Sequence, residues 1–256
     1  MDILEQIIAT KRRELAGAGE VSFGTAAPGP IRSLKKALLA SPTGIIAEFK
    51  RKSPSRGWIH PDAVPENVVP AYAAAGAAAL SILTDESYFG GCLDYIRRVR
   101  PFVDIPILRK DFIIDRRQME EARAAGADAV LLIAACLDRD ECADLVGEAH
   151  RLGLEVLLEI HDEEELDYIT SEVDVVGVNN RHLGTFVTDV ETSFSMAPLL
   201  RARVGEDRPF ISESGISNPL TVRDLRSEGF RGFLMGENFM KRTEPGEALA
   251  EFIKAL

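Results

Sequence analysis

The stretch from Arg116 to Ile133, RRQMEEARAAGADAVLLI, contains a complete helix–turn–strand unit. Its first ten residues have the pattern of a helix, and Gly126 follows at the position where helices often end in a left-handed residue. The run Ala129–Ile133 is apolar and partly β-branched, as in a strand that is buried on both faces. The stretch therefore predicts one α/β unit in which the strand follows the helix after a tight turn.

Similar units recur along the whole chain, and glycine again ends the preceding helix at Gly76, Gly153 and Gly229. Strands that alternate with helices indicate parallel pairing with crossover helices. Eight such units in 256 residues predict a closed (β/α)8 TIM barrel rather than an open sheet, within the α/β class. The predicted strands are Gly44–Phe49, Ala79–Thr84, Ile107–Asp111, Ala129–Ile133, Glu155–Ile160, Val175–Asn179, Pro209–Ser214 and Gly232–Met235.

The first 40 residues do not fit the repeating unit. Asp2–Ala16 has the spacing of an amphipathic helix, Ala18–Pro30 is rich in glycine, proline and alanine, and Ile31–Ala40 predicts a second short helix. We expect residues 1–40 to form an N-terminal helical extension that packs on the barrel over one mouth. No segment resembles a linker, so residues 1–256 are predicted to form a single domain.

Composition and charge exclude several classes of function. The formal net charge of −11 makes nucleic acid an improbable partner, but a local cluster of basic residues can still bind a small anion. The sequence has no signal-peptide pattern and no apolar run long enough to span a membrane. Its three cysteines lack a Cys-x-x-Cys spacing, which indicates reduced thiols. We therefore expect a cytoplasmic protein with no membrane association.

Polar residues at the carboxyl ends of the predicted strands are the candidates for chemistry, because barrel active sites lie there. Glu48 and Lys50 share one face of the first strand, while Phe49 takes the other. Glu159 lies in an apolar strand, where a buried carboxylate needs a partner. Either Glu159 forms a structural ion pair with a lysine of a neighbouring strand, or it belongs to an acid–base site. We favour the second interpretation. Lys110 is expected to stand alone at the end of the third strand.

The loops after the seventh and eighth strands contain a second group of candidates. Ser212–Ile216 (SESGI) and Leu234–Asn238 (LMGEN) both place glycine beside small or polar residues directly after a strand. In phosphate-binding barrels this is where backbone N–H groups hold the phosphate. The alternative interpretation is two ordinary turns, but their joint position favours a phosphate site.

A metal site is not expected, because the four histidines lack a metal-ligand spacing such as His-x-x-x-His. The run of three glutamates at 163–165 has the position of a helix start, which predicts a solvated, acidic first turn. The histidines are His60, His150, His161 and His182.

Six motifs resemble the indole-3-glycerol-phosphate synthase family, and the resemblance covers the whole chain, including the N-terminal extension. They are AEFKRKSPS at 47–55, LRKDFI at 108–113, EIHDEEEL at 159–166, VNNR at 178–181, SESGI at 212–216 and FLMGE at 233–237. The resemblance implies ring closure of 1-(2-carboxyphenylamino)-1-deoxyribulose 5-phosphate, with loss of CO2 and water, in tryptophan biosynthesis. It also implies that no metal or organic cofactor takes part.

The resemblance also implies a role for each motif residue. Lys110 would be the general acid and Glu159 the base, Lys50 would hold the substrate carboxylate, and Glu48 would orient the lysines. Substrate contacts would come from Ser53, Asn179, Arg181, Glu213 and Ser214, and phosphate contacts from Gly215, Gly236 and Glu237.

Two other functions remain open on the residues alone: a different sugar-phosphate barrel, such as an isomerase or epimerase, and a barrel that only binds an anionic metabolite. The family usually has another residue type at His182 and at Asn238, which affects loop details. We expect a monofunctional enzyme that is a monomer, with a weak homodimer as the alternative.

Overall fold

The computed structural model describes residues 3–17, 29–182, 187–205 and 207–256. Eight parallel strands close into a barrel in chain order, which confirms the predicted (β/α)8 fold. The predicted strand bounds are correct to within one residue at either end. The strands are β1 Ile45–Phe49, β2 Ala79–Leu83, β3 Ile107–Lys110, β4 Ala129–Ile133, β5 Glu155–Ile160, β6 Val175–Asn179, β7 Phe210–Glu213 and β8 Gly232–Met235.

Helices connect most of the strands, but β5 is followed by the short 3₁₀ helix Glu163–Tyr168. After β1 the chain forms a small antiparallel hairpin from Lys52–Ser53 and Gly57–Trp58. Two further 3₁₀ helices are Arg100–Phe102 and Ala134–Cys136. The α-helices are α1 Ile3–Gly17, α2 Leu34–Ala40, α3 Pro65–Ala74, α4 Glu86–Phe89, α5 Asp94–Val99, α6 Arg116–Ala125, α7 Arg139–Arg151, α8 Glu191–Arg203, α9 Pro219–Ser227, α10 Glu237–Met240 and α11 Pro245–Lys254.

Local sequence explains where the crossover helices begin and end. Asp115 and Asp138 each begin a helix with a capping box, in which side chains satisfy backbone N–H groups of the first turn. Gly126 ends α6 with φ +94°, a left-handed conformation that disfavours any residue with a side chain. The other three predicted cap glycines also have positive φ, so the helix–turn–strand prediction is confirmed at the backbone level.

The N-terminal extension covers both ends of the barrel, whereas the sequence analysis expected it over one mouth. Side chains of α1 reach the carboxyl ends of the strands, where Ile7 is buried. At the opposite end Glu155, the first residue of β5, accepts hydrogen bonds from Ser33 Oγ at 2.5 Å and Lys35 N at 2.9 Å. Leu38 of α2 is buried against the start of β8. The predicted loop 18–30 lies outside the described residues except for its last two.

Candidate active site

A cavity of about 420 Å³ opens at the carboxyl ends of the barrel strands. It is lined by side chains from strands on every side of the barrel, by the loops that follow them and by Ile3, Leu4 and Ile7 of α1. All twelve residues that the sequence analysis proposed as site residues line this one cavity, namely Glu48, Lys50, Ser53, Lys110, Glu159, Asn179, Arg181, Glu213, Ser214, Gly215, Gly236 and Glu237.

The sequence analysis expected Lys110 to stand alone at the end of β3, but two glutamates lie beside it. Its Nζ lies 3.2 Å from Glu159 Oε2 on β5 and 3.9 Å from Glu213 Oε2 on β7. The expected partner of a structural ion pair was a lysine on a neighbouring strand, but β4 separates β3 from β5. The pair therefore spans the barrel interior and places an ammonium beside two carboxyl groups inside the cavity.

The two carboxyl groups beside Lys110 hold their protons differently. Burial by itself would raise the pKa of Glu159, but the charges of Lys110 and His161 outweigh burial and hold this pKa below its usual range. Burial and the negative charge of Glu159 raise the pKa of Glu213. Lys110 remains an ammonium, because neighbouring negative charge, above all that of Glu159, raises its pKa despite its burial. A site with one ionised and one protonated carboxyl group has the requirements for acid–base chemistry.

Glu48 and Lys50 form the second ion pair of the cavity, with Lys50 Nζ 2.6 Å from Glu48 Oε1. They share one face of the chain, as the strand alternation predicts, whereas Phe49 packs against Tyr95 outside the barrel. Gly236 makes room for this pair, because a Cβ there would lie 2.6 Å from Glu48 Oε1. The glycine is thus explained by the position of Glu48.

Asn179 and Arg181 connect the floor of the cavity to its rim. Asn179 Nδ2 donates to Glu159 Oε1 at 3.0 Å, and its own Oδ1 accepts from the backbone N–H of Arg181. The Arg181 guanidinium crosses the cavity mouth and donates to Ser55 Oγ at 2.6 Å. Asn179 therefore orients Glu159, while Arg181 joins the loop after β6 to the loop after β1.

The loops after β7 and β8 meet at one side of the cavity. Ser214 has φ +68° and Gly215 has φ +78°, so two successive residues adopt the left-handed conformation. Among the described residues Ser214 is the one non-glycine with positive φ, a strained backbone state that tends to occur at functional sites. Ser53 Oγ is buried nearby in the cavity wall and has no hydrogen-bond partner among the described residues.

A model of the indole-3-glycerol phosphate synthase family matches residues 4–252. An indole-3-glycerol phosphate synthase of Bacteroides thetaiotaomicron is 56% identical over 100% of this chain and 99% of that protein. One from Laribacter hongkongensis is 44% identical over 97% of this chain and 98% of that protein.

The chain belongs to the indole-3-glycerol phosphate synthase family. It is therefore a lyase that acts on a small phosphorylated substrate, and it closes the indole ring with decarboxylation in tryptophan biosynthesis. This finding removes the two other functions that the residues alone left open, another sugar-phosphate enzyme and a barrel without chemistry. None of the described helices combines the length and apolar character that crossing a membrane requires.

Structural similarity to more distant proteins concerns the fold alone. A 3-hexulose-6-phosphate synthase superposes with a TM-score of 0.64 at 15% identity, over 83% of this chain and 99% of that one. A mutant tryptophan synthase α-subunit of Pyrococcus furiosus gives 0.61 at 15% identity, over 84% of this chain and 97% of that one. Indole-3-glycerol phosphate synthases thus share the barrel architecture with other enzymes whose sequences differ widely.

Three residues near the cavity were not among the predicted site residues. Lys11 of α1 is buried between Asp85 and Asp111, and its position four residues after Ile7 was a usable signal. Gly177 of β6 leaves the space that the Glu213 carboxylate occupies. His161 lies directly beside Glu159; it is one of the polar residues at the strand ends, but the sequence analysis gave it no role in the site.

Proposed function

We propose that Lys110 and Glu159 are the acid and the base of the ring closure in this enzyme. The observation that carries the proposal is the position of Lys110 Nζ, 3.2 Å from Glu159 and 3.9 Å from Glu213 at the floor of the cavity. An ammonium, an ionised carboxylate and a protonated carboxyl group are then available to one small ligand. General acid–base catalysis needs such groups within hydrogen-bond reach of the substrate.

In the first step the ring carbon that bears the substrate carboxylate attacks the sugar carbonyl carbon. Lys110 donates a proton to the carbonyl oxygen, which becomes a hydroxyl group as the new carbon–carbon bond forms. The bond to the carboxylate then breaks, CO2 leaves, and its electron pair restores the aromatic ring. Lys50 holds this carboxylate as a cation positioned by Glu48, which keeps the departing group out of the ring plane.

In the second step the hydroxyl group leaves as water and the indole ring forms. Glu159 accepts the proton that the intermediate loses, and a lysine ammonium supplies the proton that the hydroxyl group needs. Asn179 holds Glu159 in place through the 3.0 Å hydrogen bond, and Arg181 contacts the substrate from the mouth. Glu213 and Ser214 complete the substrate contacts at the neighbouring strand end.

We propose that the phosphate group binds at the loops after β7 and β8. Backbone N–H groups around Gly215, Gly236 and Glu237 would bind it, together with the Ser53 hydroxyl, for which the described residues supply no hydrogen-bond partner. Arg56, which pairs with Glu237 at 3.2 Å, brings positive charge to the same side. We also propose that no metal or organic cofactor takes part.

We further propose that the enzyme is a monomer, with a weak homodimer as the alternative, and that it is cytoplasmic and binds no nucleic acid. The three cysteines support the location, because Cys92, Cys136 and Cys142 are free thiols. The net charge of −11 supports the absence of nucleic acid.

Steady-state kinetics of two lysine variants test the assignment of the acid. Lys110→Met keeps most of the aliphatic stem and removes the proton donor, so kcat and kcat/KM should fall together by about 10² to 10⁴. Lys50→Met removes the cation beside the substrate carboxylate and should raise KM as well as lower kcat. Indole fluorescence measures the product, and circular dichroism confirms that each variant is folded.

Lys254→Met, on the exposed face of α11, is the matched control and should retain the wild-type constants. If Lys110→Met keeps the wild-type kcat, or if only its KM changes, then Lys110 is a binding residue and the proposed acid is wrong.

A further inference from the structure

His161 lies between two carboxylates at the edge of the cavity. Its Nε2 is 3.3 Å from Glu159 Oε1, and its Nδ1 is 3.2 Å from Glu165 Oε2. The ring is almost enclosed, with 12% of the side chain exposed, and Glu159 is 1% exposed. The negative charge of a carboxylate beside each ring nitrogen favours the cationic imidazole. Nδ1 donates to Glu165, whereas Nε2 meets Glu159 as an ion pair without hydrogen-bond geometry.

The 3₁₀ helix after β5 brings Glu165 back to His161. Asp162 begins this helix by accepting from the backbone N–H groups of Glu164 and Glu165. Glu165 Oε2 then accepts from the backbone N–H of His161 at 2.6 Å as well as facing its ring. The sequence analysis predicted a solvated run of three glutamates, but the Glu165 side chain is only 15% exposed. That prediction is wrong for Glu165, because this residue turns inward to pair with His161.

The charges around His161 favour its cationic form. Burial lowers the pKa of His161, but the two carboxylates outweigh it and raise this pKa to about 10. The other titratable groups that interact with these carboxylates are Lys110 from β3, Cys136 from the loop after β4, Tyr168 from the same 3₁₀ helix and Glu213 from β7. Lys110 is the one further cation of this set, and it faces the other oxygen of Glu159.

The two oxygens of Glu159 therefore have separate partners. Oε2 faces Lys110, whereas Oε1 accepts from Asn179 at 3.0 Å and lies beside His161. An acid and a base only 3.2 Å apart can neutralise each other by direct proton transfer, which would leave an amine and a carboxylic acid. A second, permanent cation beside Oε1 disfavours that transfer, because it stabilises the ionised form of Glu159. Glu159 then stays a carboxylate after Lys110 has given its proton to the substrate.

We propose that His161, fixed by Glu165, is a positioning residue that keeps Glu159 ionised and separate from Lys110 through the reaction. This inference rests on the proposed function, in which Glu159 is the base. His161 touches Glu159 and lies outside the residues that line the cavity, so it acts through the base and not on the substrate.

The pH dependence of kcat distinguishes this role from a purely structural one. In His161→Gln the pKa of Glu159 should rise, so the acid limb of the kcat profile should move to higher pH, with kcat reduced on the order of tenfold at neutral pH. KM should stay within about twofold of wild type, because no substrate contact is lost.

Glu165→Gln should move the opposite limb. Without this carboxylate the pKa of His161 falls, so the cation is lost as pH rises and the alkaline limb of the profile moves to lower pH. Below that limb Glu165→Gln should retain nearly the wild-type kcat, since His161 is still charged there. This variant also keeps the inference testable if His161→Gln does not fold.

His150→Gln is the matched control, because His150 also pairs with a carboxylate, Asp174, but on the exposed side of the barrel. Its pH profile should coincide with that of the wild type. Glu159→Gln is measured in parallel and should be inactive. If Glu159→Gln is inactive while both limbs stay unchanged in folded His161→Gln and Glu165→Gln, the inference on His161 is overturned and the proposed base stands. If Glu159→Gln keeps its activity, the proposed base and the inference on His161 are both wrong.

Discussion

Two buried ion clusters lie at the carboxyl end of the barrel, and each is built around a lysine. The Lys11 cluster consists of Lys11, Asp85, Arg109 and Asp111. Lys11 lies 3.0 Å from Asp85 and 3.2 Å from Asp111, and Arg109 lies 3.1 Å from Asp111. Both buried aspartates of this cluster therefore have a cation within 3.2 Å.

The Lys110 cluster is less complete. It consists of Glu48, Lys50, Lys110, Glu159, His161 and Glu213, and most of its members line the cavity. The nearest cation to Glu213 is Lys110 at 3.9 Å, and Glu213 Oε1 has no hydrogen-bond partner among the described residues.

The difference shows how a structural ion cluster can be told from a functional one. Buried polar groups are normally satisfied within the protein, so an unsatisfied carboxyl group that faces a cavity indicates a ligand. The Lys11 cluster joins α1 to the barrel. Its Asp85 Oδ2 also lacks a hydrogen bond among the described residues, but Lys11 Nζ lies 3.0 Å from it and Asp85 does not line the cavity. Glu213 of the Lys110 cluster does line the cavity, and its nearest cation is 3.9 Å away. Charge and burial alone would not separate the two.

The largest effect that we expect from this comparison concerns stability. Lys11→Met leaves Asp85 and Asp111 buried with one cation fewer, so the free energy of unfolding should fall by about 3 to 5 kcal/mol. Lys110→Met should cost less, because the raised pKa of Glu213 favours its neutral form and His161 still faces Glu159. Urea unfolding at pH 7 measures both variants.

Lys36→Met, on the exposed side of α2, is the control and should unfold at the wild-type urea concentration. A Lys11→Met protein as stable as this control would show that the Lys11 cluster does not hold α1, and the distinction between the clusters would then fail.

Sequence reasoning reached the strands, the helix ends and the residues of the cavity because each depends on local pattern. Gly126 ends a helix wherever the chain later goes, and Glu48 faces Lys50 by strand alternation alone. The partners of Lys110 and Lys11 could not be predicted in this way. They depend on which side chains meet across the barrel and on where α1 lies, and a single sequence states neither.

A smaller effect is expected from the protonated carboxyl group. Burial and the charge of Glu159 raise the pKa of Glu213 from its usual 4.5 to about 8 in the folded state. The folded protein then binds more protons than the unfolded chain between these values, so Glu213 makes stability fall as pH rises through this window. Glu213→Gln removes this contribution.

The stability of Glu213→Gln relative to wild type should therefore increase as the pH rises from 5 to 9. The change should be on the order of 1 kcal/mol or more, since one pKa unit corresponds to about 1.4 kcal/mol. Denaturant unfolding at pH 5, 7 and 9 measures the difference in free energy of unfolding between variant and wild type. Glu121→Gln is the reference, because Glu121 is a partly exposed carboxylate that pairs with Arg109 of the Lys11 cluster. A flat difference curve would mean that the pKa of Glu213 is the same in the folded and unfolded states, which would contradict its protonation in the Lys110 cluster.

The smallest effect, no change at all, is expected from removal of divalent metal ions. Glu48, Glu159 and Glu213 bring three carboxyl groups to one cavity, which is the kind of ligand set that Mg²⁺ or Mn²⁺ prefers. Here lysine ammonium groups occupy the positions beside the carboxylates where a metal ion would have to bind. Lys50 lies 2.6 Å from Glu48, and Lys110 lies 3.2 Å from Glu159. Exhaustive dialysis against EDTA should therefore leave kcat and KM unchanged within error. If EDTA abolishes activity and a divalent ion restores it, the Lys110 cluster binds a metal ion, and its lysines do not take the place of one.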